Sequence, residues 1–185
     1  MEQVLFINAC VRPQSRTFRL AQTVLARLSG HLTEVDLSAT PVPFLDRERL
    51  ARRNELLAAG DFNAPMLRHA VQFSKADTVV IAAPYWDLMF PALLKAYLEA
   101  ITVSGLTFRY SEQGFPVSQC KAKRLIYVTT AGGYIGEYDF GFQYVSTLAR
   151  GFFGISEVSC VKAEGLDIVG AVVEAILQAA EEKSF

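Results

Sequence analysis

Apolar positions along the chain follow two rhythms. The run Thr78 to Ala83, TVVIAA, is continuously apolar and rich in β-branched residues. That pattern predicts a central strand of a parallel sheet, buried on both faces. Pro84 ends the run, because proline has no N–H to pair and pushes its predecessor towards an extended conformation. After YWDLMF comes Pro91, a residue favoured at the first helical position. From there Leu93, Leu94, Tyr97, Leu98 and Ile101 recur at helical spacing, with Lys95 and Glu99 on the other side. Thr78 to Ile101 therefore reads as a strand, an irregular aromatic loop and a helix. In an open α/β sheet such a loop lies at the carboxyl edge of its strand, where ligands bind.

The same alternation runs through the rest of the chain. Residues 3–9, QVLFINA, form a second continuous apolar run. Phe18, Leu20, Ala21, Val24, Leu25 and Leu28 then give a helical stripe that ends near Gly30. Residues 32–37 predict a short strand nearer an edge, 46–59 a charged helix and 66–75 a short helix. Residues 105–120 read as a turn-rich excursion. A buried strand follows at 124–130, an apolar helix closes at Gly154, and a strand over 156–163 precedes a helix over 168–182. Five strands alternating with helices predict one domain, residues 1–185. Its fold class is α/β: a three-layer fold with a five-stranded parallel sheet and helices on both faces. With strand order 2-1-3-4-5, the loops after strands one, three and four converge on one edge.

Composition narrows the function classes. Apolar residues make up 51% of the 185 residues, which argues for a well-buried interior or an additional oligomer interface. The net charge of -1 gives no reason to expect a nucleic-acid partner. Cys10, Cys120 and Cys160 are odd in number and widely spaced, as suits reduced thiols and a cytoplasmic protein. The start, MEQVLFINAC, reads as a first strand rather than a leader, and no apolar run approaches a membrane span.

Candidate chemistry lies in the three loops. Ser15, Arg16 and Thr17 follow the first strand at a predicted helix N-terminus, where free N–H groups and the helix dipole favour an anion. Such hydroxyls also serve as plain helix caps, but capping has no use for Arg12 and Arg16 nearby. Ala131-Gly132-Gly133 ends the fourth strand; paired glycines there either let backbone approach a ligand or simply make a tight turn. His31, near the end of the first helix, and His69, on a short surface helix, read as structural. No general acid or base and no metal-ligand cluster stands out.

RPQSRTFRL, PYWDLMFPALLKAYLEAI, TTAGGY and DFGFQYVSTLARGFFGI, in this order, resemble the flavodoxin-like NAD(P)H oxidoreductases, the group of quinone reductases and FMN-dependent azoreductases. The resemblance covers nearly the whole chain and is weakest over residues 40–65. It implies FMN as cofactor, NADH or NADPH as co-substrate, and hydride transfer through the flavin to a quinone, azo compound or similar planar small-molecule acceptor. A ping-pong order and a homodimer are implied with it. The phosphate role carries to Ser15, Arg16 and Thr17. Ring contact carries to Tyr85, Trp86, Asp87 and Leu88, largely through backbone, and to Thr130, Ala131, Gly132 and Gly133. Two positions depart from the pattern: Asp87 stands where azoreductase-like members often carry asparagine, and Tyr85 where leucine or methionine is usual. A different class, a flavin-binding electron carrier or a flavin-free binding module, would show the same three loops without NAD(P)H oxidation.

Overall fold

Residues 1–182 are described by a computed structural model; the last three residues of the predicted domain, 183–185, lie outside the described residues. The apolar runs fold as the strands Gln3–Asn8 (β1), His31–Asp36 (β2), Thr78–Ala82 (β3), Arg124–Thr130 (β6) and Glu157–Ala163 (β7). They pair in parallel in the order β2-β1-β3-β6-β7. Counting only these five strands, this is the order expected from sequence. The helices are Arg16–Ala26 (α1), Arg47–Ala58 (α2), Arg68–Lys75 (α3), Ala92–Ile101 (α4), Phe140–Gly151 (α5) and Val173–Glu181 (α6).

Because side chains alternate along a strand, each central strand feeds two apolar clusters. Leu5, Ile7, Val79, Ile81, Leu125 and Tyr127 pack with Phe73 of α3, Tyr97 of α4 and Val145 of α5. The intervening residues, among them Phe6, Val80, Ile126 and Val128, pack with Leu20 and Val24 of α1 and Leu177 of α6. Strands buried on both sides read as unbroken apolar runs for this reason. The connection from α1 to β2 turns on Gly30, at φ +136, where any Cβ would meet the Glu2 carbonyl.

Several local expectations are corrected. The excursion at 105–120 contains an antiparallel hairpin, Phe108–Tyr110 (β4) with Pro116–Ser118 (β5). Its three-residue strands are too short to show alternation. The last helix begins at Val173, not 168, because Ile168 and Val169 are exposed and carry no helical stripe. Pro91 is the N-cap of α4 rather than its first helical residue. His31 opens β2 instead of ending a helix. His69 is buried rather than on the surface, edge-on to the Tyr97 ring at 5.4 Å.

Candidate functional site

The carboxyl ends of β1, β3 and β6 open on a cavity of about 380 Å³, at the point where the sheet order reverses. Arg12, Ser15, Arg16, Thr17, Tyr85, Trp86, Thr130 and Gly132 line it, joined by Val11, Gln14, Pro84 and Asp167. Most of the predicted residues are thus brought together. Asp87, Leu88, Ala131 and Gly133 belong to the same loops but lie outside the lining.

The first loop ends in a capped helix. Ser15 Oγ accepts from the Phe18 N–H at 3.1 Å, so it does cap α1. The N–H groups of Arg16 and Thr17 have no acceptor among the described residues and sit at the positive end of the helix dipole. Capping and an anion cradle coexist here. Thr17 is committed elsewhere: its hydroxyl shares a 2.6 Å hydrogen bond with that of Thr130, both buried. It therefore pins α1 to β6, leaving its backbone N–H for an anion. Cys10 lies two residues past the end of β1; burial pushes its thiol up to about 11 and keeps it protonated.

The second loop is a tight turn. Trp86 N–H donates to the Met89 carbonyl at 3.0 Å and Met89 N–H returns the bond at 2.8 Å. Between them Asp87 and Leu88 hold φ values of 49 and 69. This is the primed hairpin turn, which needs two left-handed residues and is ordinarily made by Asn-Gly. Strain of this kind gathers at functional sites. Replacing Leu88 by glycine relieves part of it, so Leu88→Gly is expected to raise stability by about 1 kcal/mol and Tm by ~2–4 °C. Calorimetry checks this; a lowered Tm would mean that the leucine side chain outweighs its backbone strain.

The second loop is tied to the third, since Tyr85 N–H donates to the Thr130 carbonyl at 3.0 Å. Tyr85 also donates its hydroxyl to the Tyr138 carbonyl at 3.1 Å. Burial, with Asp139 and Glu164 nearby, raises the phenol and keeps it a donor.

A fourth loop completes the site, and sequence reasoning missed it. Asp167 N–H donates to the Gly132 carbonyl at 2.9 Å, and Gly165 N–H to that of Gly133 at 3.0 Å. The Asp167 carboxylate reaches Arg16 Nη1 at 2.7 Å. Neither glycine of the third loop needs a left-handed conformation. At Gly132 an added Cβ would overlap the Asp167 carboxylate and displace that side chain, whereas Gly133 has open space around it.

A parallel sheet in this order, with an anion cradle at its switch point, is the architecture of the flavodoxin-like class of α/β proteins. The comparison with known families agrees: the family described as flavodoxin-like fold matches residues 2–184, and the chain belongs to it. A relative from Clostridium acetobutylicum, named FMN-dependent NADH:quinone oxidoreductase 2, is 36% identical over 100% of this chain and 96% of its own length. The FMN-dependent NADH:quinone oxidoreductase of Lachnoclostridium phytofermentans is 35% identical over the same shares. Among solved structures, an azoreductase from Bacillus anthracis superposes with a TM-score of 0.84 at 27% identity, covering 98% of this chain and 96% of that one.

Proposed function

We propose that this protein is an FMN-dependent oxidoreductase that uses NADH to reduce a quinone, azo compound or similar planar acceptor. The single observation that supports this most is the meeting of a helix N-terminus, a strained aromatic turn and a Cβ-free backbone stretch in one cavity. The names of relatives aligned over the full chain point the same way.

The cavity's own chemistry fits a flavin mononucleotide. The N–H groups of Arg16 and Thr17, with the Arg12 and Arg16 guanidiniums, supply donors and positive charge for its phosphate. Backbone of Tyr85, Trp86, Thr130 and Gly132, which line the cavity, would border the ring, with the half-exposed Trp86 as a flat wall beside it. When bound, FMN accepts a hydride from NADH and passes two electrons to the acceptor. The lining residues would bind and orient it, and a cavity open to NADH and then to the acceptor would suit a ping-pong order. Tyr85 holds its proton against the Tyr138 carbonyl, fixing the second loop against the third.

We read residues 1–185 as one domain of three layers that works as a homodimer, a reading supported by exposed aromatics such as Tyr138 and Phe140 that a second copy would cover. No helix of the described residues is long and apolar enough to cross a membrane. Purified protein supplied with FMN should, without oxygen, turn NADH over catalytically only when a soluble benzoquinone or azo dye is present. Yellow protein without NADH oxidation would favour an electron carrier, and failure to take up FMN a binding module.

A further inference from the structure

A second cavity of about 380 Å³ lies away from the flavin cleft and shares no residue with it. Its wall carries Arg49 and Arg53 from α2, and Arg68 and His69 from α3. Among the described residues no carboxylate lines it. Val42, Leu45 and Met66 form an apolar side, together with prolines of the segment after β2. Three guanidiniums around one hollow repel each other and call for an anion.

Two buried atoms reinforce this. Among the described residues Arg53 Nε is buried with no hydrogen-bond partner, and the same guanidinium donates to the Glu99 main-chain carbonyl at 3.5 Å. The Glu99 carboxylate is already held by Lys95. Burial lowers the Arg53 pKa, the mark of a cation short of partners. His69, 8% exposed, accepts from Arg68 Nε through Nε2 at 3.2 Å, so its proton sits on Nδ1. That Nδ1 has no partner either; Gln72 approaches the ring without the geometry of a hydrogen bond to it. Glu34 and Asp36 line an adjoining hollow that shares Arg68 and His69. Their carboxylates are engaged by Asn8 and by the N–H groups of Ser38 and Ala39. Among the described residues the hollow thus gathers three guanidiniums and two unpartnered buried nitrogens with no carboxylate in its lining.

We infer that this cavity is a binding site for a small organic anion, its carboxylate or phosphate beside Arg53, Arg68 and His69 and its apolar body against Val42, Leu45 and Met66. The site is separate from the flavin cradle, so it stands whether or not the chain binds FMN.

The test is a calorimetric titration of the intact protein with phenyl phosphate, benzoate and inorganic phosphate. Phenyl phosphate or benzoate should bind saturably and at least about tenfold more tightly than inorganic phosphate. Arg53→Gln and Arg68→Gln should each weaken that binding by about tenfold or more, whereas Ser15→Ala with Arg16→Ala should leave it unchanged. Circular dichroism verifies folding, and if Arg53→Gln does not fold the exposed Arg68 decides. Absence of saturable binding would overturn the inference. So would equal affinity for inorganic phosphate, or binding lost in the Ser15 and Arg16 variant but kept in the α2 and α3 variants.

Discussion

Gly132→Val is expected to lower FMN affinity by about tenfold or more, ~1.4 kcal/mol, without unfolding the protein. The glycine lines the cavity at the end of β6, and a Cβ there would overlap the Asp167 carboxylate. That side chain is more than half exposed and can swing away, so the backbone need not move. The valine methyl groups then fill the wall proposed to border the flavin ring. Riboflavin, which lacks the phosphate, should lose affinity in parallel. Gly133→Ala makes the contrast, because nothing stands near that position; its flavin affinity should match the parent. Fluorescence titration of both variants with FMN and riboflavin gives the answer. Normal FMN binding by folded Gly132→Val would remove the third loop from the ring.

Thr17→Val should act on stability instead of on the phosphate. Its hydroxyl and that of Thr130 partner each other inside the protein, at 2.6 Å. Removing one strands the other in a dry site, at a cost of about 1–3 kcal/mol. Adding Thr130→Val should then cost little more, leaving a coupling of roughly 0.5 kcal/mol or above in a double-mutant cycle. The ratio of FMN to riboflavin affinity should not change. Denaturant melts of the four proteins measure the coupling. Unchanged stability with a selective loss of FMN would return the hydroxyl to the phosphate.

These two outcomes show what could be read from sequence and what needed the fold. TVVIA and RLIYVTT were legible as central strands because burial on both faces removes the alternation of apolar and polar positions that a half-exposed strand shows. Ser15 was legible at its helix start because the apolar stripe of α1 begins directly after it. The Thr17–Thr130 bond was not, since it spans 113 positions and exists only once α1 lies on the sheet. Asp167 gave no local signal: a lone acid after the last strand gains meaning when β7 pairs with β6 and brings its loop beside Gly132. The turn at Asp87 and Leu88 escaped because it lacks the Asn-Gly that such turns advertise. Over residues 40–65 the charged helix α2 looked like a solvated face. Only the fold showed that Arg53 is partly enclosed, with its guanidinium against the Glu99 carbonyl of α4.

The strand order also sets a timetable for biosynthesis. β1 can pair with β2 as soon as His31–Asp36 has left the ribosome. Its other edge must wait for Thr78–Ala82, and the far edge of β3 must wait for Arg124–Thr130. Through each interval an apolar strand edge stands open, able to pair with a neighbouring nascent chain as readily as with its own later segment. Such distant pairings make folding slow. Crowded polysomes and fast translation are therefore the conditions under which this chain aggregates, and slowed elongation or a chaperone that shields β1 should raise its soluble yield.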